Sequence, residues 1–253
     1  MHPDVVVDVG NTRIKWGWGA PGEPLRMASL PPDAPAAWDD QLALLPAATG
    51  PRTWAMAGVH PDRLTRLKDW AEARGDTVRV ITHADIRIPI DVDEPARVGI
   101  DRLLNAVAAR ARVPAPRPVV VIDAGSAVTV DLVDAAGVFR GGAILPGPRL
   151  MARALHHYTA KLPDLPIDAV PSVDPPGRNT RDAIGTGIMA AIMGGCQLLV
   201  DEYRALSQSP VTVLMTGGAI GYLVDYDYAP DDEVGGPFPL TLEGVRLAAE
   251  ALS

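Results

Sequence analysis

The chain has a single cysteine, Cys196, among its 253 residues. No internal disulfide can form, and no Cys/His cluster has zinc-ligand spacing, so the sequence reads as a protein of a reducing compartment without structural metal. The expected location is the cytoplasm. Basic charge is also short: 23 Lys+Arg stand against 31 Asp+Glu, for a net charge of -8. A nucleic-acid backbone attracts cationic surfaces, so non-specific binding to it is disfavoured, and any anion this protein holds needs a local device. The opening MHPDVVVDVG has neither the basic region nor the apolar stretch of a signal peptide. Long apolar runs are missing except at residues 183–200, uncharged over eighteen positions. Four glycines and a Gln within that run, and charged pairs at both its ends, favour a buried helix over a membrane span. The 25 Pro and 24 Gly follow no period, which excludes collagen-like chains. With 47% hydrophobic and 21% charged residues the expectation is a globular, turn-rich α/β protein.

Residues 4–19, DVVVDVGNTRIKWGWG, predict an apolar strand, a polar turn and a second strand alternating Ile14, Trp16 and Trp18 against Arg13, Lys15 and Gly17. A Pro/Ala-rich stretch at 31–51 follows, then a strand at 53–59, a helical pattern from Pro61 to Arg74 and a short strand at 77–81. Residues 99–113 place Ile100, Leu103, Leu104, Val107 and Ala108 on one helical face. After APRP at 115–118 the chain restarts with VVVIDAGSAVTVDLVDAAGVFRGGAILPG, 119–147. The two openings match, with Asp8 and Asp123 at corresponding positions. A spacing of 115 residues is too long for a solenoid and predicts two duplicated α/β domains, 1–115 and 116–253. The second continues through helices near 148–156 and 179–207, a strand at 211–215, a TGG turn leading into a helix, and a last helix near 242–252.

A strand ending in Asp-x-Gly before a hairpin turn sets a carboxylate at a sheet end, while the glycine lets backbone approach a phosphate. Asp8 and Gly10 fit this. Asn11 and Thr12 add an amide and a hydroxyl, and Asp8 would hold magnesium through water. An ordinary capped hairpin explains one copy; two copies shift the weight to phosphate binding. In the second copy Asp123, Gly125, Ser126 and Thr129 supply a carboxylate and hydroxyls, and Asp131 reads as a solvated edge charge. The backbone of TGG at 216–218 could face a nucleotide phosphate. Asp101 begins a helix with Arg102 beside it; either it complements the helix dipole, or it orients or deprotonates an acceptor hydroxyl while the arginine binds an anion.

Taken in order, DVGNTRIKWG, VGIDRLLNAVAA, VIDAGSAVTVDLVD, GGAILPG, GRNTRDAIGTGI and MTGG resemble the type III pantothenate kinases of coenzyme A biosynthesis over nearly the whole chain. The resemblance implies two ribonuclease-H-like, actin-like ATPase domains with an interdomain cleft for ATP, and a homodimer helping to form the pantothenate pocket. It implies Asp8, Asn11, Thr12 and Lys15 on the phosphate and magnesium side, and Asp101 as the catalytic base toward pantothenate's primary hydroxyl. Gly99, Arg102 and Thr180 would bind the substrate. Asp123 would bind a monovalent cation, potassium or ammonium, and Ser126 and Thr129 would face phosphate. No nucleic-acid or membrane partner is expected. The chain departs from the family at Ser126, where Thr is usual, and at Val92, the nearest candidate to a Tyr often found before the Gly-x-Asp-Arg segment. Two alternatives are a phosphotransferase for another small hydroxy acid and a non-catalytic nucleotide-binding regulator.

Overall fold

The computed structural model describes residues 2–165, 176–218 and 233–252. Two compact units emerge from the packing: Met1–Pro114 together with Pro239–Ser253, and Ala115–Phe238.

The first unit is built on a five-stranded sheet of β1 (Val5–Val9), β2 (Ile14–Trp18), β3 (Arg26–Leu30), β4 (Thr53–Gly58) and β5 (Thr77–Val80), in the order β3-β2-β1-β4-β5. β1, β2 and β3 run antiparallel as a meander, while β4 and β5 add parallel to β1. β1, four valines and Asp8, is buried along its whole length, as a central strand of a covered sheet should be. Val5, Val7 and Val9 join Ile14, Trp16, Trp54 and Met56 on one face, beneath α1 (Pro35–Ala43) and α2 (Pro61–Glu72), which contribute Trp38, Leu67 and Ala71. Each such side chain taken out of water contributes roughly 1.5–3 kcal/mol. Val6, Ala55 and Ala57 point the other way, against Ile100 and Leu104 of α3 (Ile100–Arg112) and Leu242 and Val245 of α6 (Leu240–Glu250). β3 and α1 are elements the sequence reading does not name, β3 before and α1 within the Pro/Ala-rich stretch at 31–51; Trp38, fully buried, anchors that helix.

The second unit repeats the plan. β6 (Val119–Ala124), β7 (Ala127–Val133), β8 (Phe139–Pro146), β9 (Thr212–Thr216) and β10 (Glu233–Gly235) form a sheet ordered β10-β9-β6-β7-β8, again an antiparallel meander with two parallel strands beside its first member. This is the ribonuclease-H-like arrangement, present twice. α4 (Pro148–His157) and α5 (Thr180–Ser207) cover one face. α5 is long and apolar enough to cross a membrane, with mean hydropathy 1.7. In this fold its stripe Ile184, Ile188, Ile192, Cys196 and Val200 enters the core against Val120, Ile122, Val128 and Val130. The helix expected after the TGG turn lies outside the described residues.

The expected division at 115/116 adjoins the observed one at 114/115, but assigning 116–253 to one domain needs correction: the C-terminal helix α6 packs with the first unit. Gly244 is the reason the two helices can close, since a Cβ there would enter the backbone of Leu104. The nearly buried Glu243 receives a two-pronged bond from Arg112 at 2.8 and 2.5 Å, and the Thr241 hydroxyl donates to Asn105 Oδ1 at 2.8 Å.

Candidate active site

In the first unit Asp8 is the penultimate residue of β1, 7% exposed, and its register partner on β2 is Lys15. Directly opposed residues project to the same face, and Lys15 Nζ lies 3.6 Å from Asp8 Oδ2. The turn beyond is closed by the Gly10 N–H donating to the Arg13 carbonyl at 3.0 Å, with Asn11 and Thr12 exposed at its tip. Asp8 projects to the same sheet face as Val6, the face covered by α3 and α6. Asp101 stands in the first turn of α3, and its neighbour Ile100 shares a core cluster with Ala57, the β4 residue in register with Asp8. Asp8 and Asp101 therefore serve the same side of one sheet. Asp101 Oδ1 accepts the Arg102 N–H at 2.9 Å, a donor in the first turn of the helix that it shares with the Gly99 carbonyl at 3.1 Å. The same oxygen folds back over Gly99, the residue before the helix, where a Cβ would collide with it. Gly99, Asp101 and Arg102 form one local assembly in which the glycine clears room for the carboxylate.

The second unit carries the matching arrangement. Asp123 is the penultimate residue of β6, flanked in register by Thr129 on β7 and Thr216 on β9. The Thr129 Oγ1 is buried and has no hydrogen-bond partner among the described residues, which leaves an oxygen donor beside a carboxylate. The Gly125 N–H donates to the Ala127 carbonyl at 2.9 Å, and the exposed Ser126 lies at the tip of the turn. Gly147 packs so closely on this turn that a Cβ would sit 2.5 Å from the Ser126 carbonyl oxygen. Gly217, with φ +100, closes on the backbone of Ala124 from the other side.

Thr180 does not join Asp123 and Thr129 within this unit. It begins α5, on the opposite face of the sheet, where it lines an apolar cavity of about 640 Å³ with Pro146, Leu150, Met151 and Leu162. Asp131 also differs from expectation: it is 1% exposed, a buried carboxyl group and not a solvated edge residue. Its register partner is Gly142, where a Cβ would lie 2.5 Å from Asp131 Oδ1, so the absent side chain makes the space the carboxylate occupies. His156 and His157 are exposed; among the described residues no group of three or more His, Cys, Asp or Glu could hold a metal.

Sequence reasoning missed Thr216 as a flank of Asp123, a pairing across 93 residues that only sheet register reveals. A signal was present. Ala57-Gly58 at the end of β4 and Thr216-Gly217 at the end of β9 occupy the same place in the two units: Gly58 closes on Val9, the residue after Asp8, as Gly217 closes on Ala124, the residue after Asp123. The duplication thus extends beyond the hairpins.

The sequence matches a family model described as type III pantothenate kinase over residues 5–202. A type III pantothenate kinase of Rhodopirellula baltica is 45% identical over 180 residues, 69% of this chain and 60% of that protein. One from Halorhodospira halophila is 33% identical over 231 residues, covering 87% of this chain and 88% of that protein. The match to the first relative thus spans less than two thirds of that relative's length. Among solved structures, a conserved Baf family transcriptional activator from Campylobacter jejuni superposes with TM-score 0.55 at 19% identity, covering 97% of each chain, which is a likeness of fold.

Proposed function

The chain belongs to the type III pantothenate kinase family, and from that premise we propose that it transfers the γ-phosphoryl group of ATP to pantothenate, giving 4'-phosphopantothenate. The observation that carries this reading is the pair of carboxylates in the first unit: Asp8 at the phosphate-type turn and Asp101 at the start of α3, on the same side of one sheet.

Phosphoryl transfer asks the protein for positioning and charge neutralisation more than for covalent chemistry. The substrate's primary hydroxyl oxygen forms the new bond to the γ-phosphorus as the bond to the bridging oxygen breaks and ADP leaves. Asp101 takes the hydroxyl proton, and Gly99 gives its carboxylate room to approach. Arg102, next along the helix, suits the carboxylate of pantothenate, and Thr180 is assigned a further substrate contact. Asn11, Thr12 and Lys15 neutralise and orient phosphate oxygens around the Gly10 turn, with Ser126 and Thr129 doing so at the second turn. Hard oxygen donors suit the cations the family implies: Asp8 would hold magnesium through water, and Asp123, beside the unpartnered Thr129 hydroxyl, would hold potassium or ammonium, both compensating the triphosphate's charge.

A homodimer is part of the proposal. Its support is the apolar surface on the second unit, where Ile144, Leu150, Tyr158 and Leu198 are 63, 48, 83 and 59% exposed. The lone cysteine supports a cytoplasmic location.

The test is phosphate transfer from ATP to pantothenate by the native chain with magnesium, with and without potassium. Turnover that rises with potassium is expected. No turnover in any salt, or preferential turnover of another hydroxy acid, overturns the assignment.

A further inference from the structure

The Gly10 N–H bond to Arg13 closes the first hairpin turn from within, and a contact from outside the hairpin adds restraint at its exposed tip, where each ordered residue gives up roughly 1–2 kcal/mol of backbone entropy. Both turns are gripped at the same place. Asn11 and Ser126 each stand three residues after the strand-end aspartate, and the main-chain carbonyl of each accepts a hydrogen bond from outside its hairpin. At Ser126 the donor is the Gly147 N–H, at 3.2 Å. At Asn11 it is Nη1 of the Arg63 guanidinium.

Arg63 reaches Asn11 because of how β4 passes into α2. Gly58 ends β4 against β1, where a Cβ would sit 2.5 Å from the Val9 carbonyl oxygen, and the Val59 N–H donates to that oxygen at 3.2 Å. The first turn of α2 is thereby set beside the β1–β2 turn. The second amino group of Arg63, Nη2, donates to Asp33 Oδ2 at 2.9 Å, and Asp33 Oδ1 accepts from Arg66 at 3.0 Å. Asp33 thus fixes the guanidinium between itself and the turn. On the far side, Arg13 donates to the Ser29 hydroxyl at 3.0 Å and to the Ser29 carbonyl at 2.7 Å, tying the turn to β3.

We propose that Arg63 is a positioning residue of the phosphate turn: oriented by Asp33, it holds the Asn11 carbonyl so that Asn11 and Thr12 stay in the shape that receives nucleotide phosphates. This rests on the reading of the Asp8–Thr12 turn as a triphosphate site. In the first unit a side chain makes this contact; at the second turn the Gly147 backbone N–H makes the corresponding one.

The experiment measures MgATP affinity by calorimetry, and KM for ATP and for pantothenate, in the native chain, Arg63→Ala and Arg63→Lys. One lost charge-assisted bond corresponds to a weakening of MgATP binding and a rise in KM for ATP of about tenfold or more in Arg63→Ala. KM for pantothenate should stay within about twofold, and Arg63→Lys, which keeps a cationic donor, should recover part of the affinity. A merely structural role would lower thermal stability without splitting the two KM values. Arg63→Ala binding MgATP like the native chain, or a folded Arg63→Lys binding it no better than Arg63→Ala, overturns the inference. Native chain that binds MgATP, is sensitive to Arg63 and leaves pantothenate untouched would sink the functional reading alone. Native chain with no affinity for MgATP would sink both.

Discussion

Replacing Gly99 by alanine places a methyl group where Asp101 Oδ1 now lies. The backbone accepts the change, because φ -56 and ψ 132 suit alanine as well as glycine. The side chain of Asp101 must then withdraw by about 1 Å to restore ordinary van der Waals separation. Withdrawal also breaks its 2.9 Å bond from the Arg102 N–H, at a cost of about 1 kcal/mol. In a chain of this size that lowers the melting temperature by roughly 2–4 °C. A base displaced by about 1 Å from its near-attack position loses on the order of 100-fold in rate. Gly99→Ala should therefore cut kcat about 100-fold while KM for ATP changes little and the protein remains folded. A coupled ADP-release assay and a thermal melt on the same preparation measure both. A folded Gly99→Ala with kcat within about twofold of native would refute the idea that this glycine makes room for a working carboxylate.

The other consequences concern stability, reactivity and assembly. Burial pushes the pKa of Asp134 upward, but bonds from the Val138 and Ala136 N–H groups and the Arg140 guanidinium outweigh it and leave it below the ordinary carboxylate value. A lowered folded-state pKa gives stability that is present above the unfolded value and lost as pH falls through the folded one. Asp134→Asn should thus be destabilised at neutral pH, with the gap to native closing below about pH 4 in denaturant titrations; a gap that widens in acid would contradict this. Burial pushes the Cys196 thiol up to about 11, and the side chain is 1% exposed. A thiol reagent at mildly alkaline pH should leave the native protein unmodified and label one site on denaturation; rapid labelling of folded protein would show that α5 is misplaced. Leu198→Glu should convert a sedimenting dimer to monomer without changing the melt of the protomer, whereas an undisturbed dimer would move the interface away from α5.

Much of the fold was legible because its signals are local. The run VVVDV, alternating Ile14 and Trp16, and their echo at VVVIDAG and AVTVDL set two hairpins with Asp8 and Asp123 in matching positions, and the meanders follow. What escaped depends on contacts between distant segments. Nothing in the α6 pattern says which sheet it covers; that is decided by Gly244 against Leu104 and Glu243 against Arg112. Asp131 alternates as an edge residue would, and only the missing side chain of Gly142 turns its position into a buried niche. Thr216 reaches Asp123 through sheet register, and Arg63 reaches Asn11 through the closure of Gly58 on β1. Asp101 is visible as a helix-start acid beside an arginine, but its shared side with Asp8 requires the packing of Ile100.

In the proposed reaction the Asp101 carboxylate removes the proton from pantothenate's hydroxyl. Rates of pantothenate phosphorylation by the native chain and by Asp101→Asn, at saturating MgATP and potassium, test it most directly. The amide variant should bind MgATP normally and lose about 100-fold or more in kcat. Equal rates for the two proteins would contradict the account.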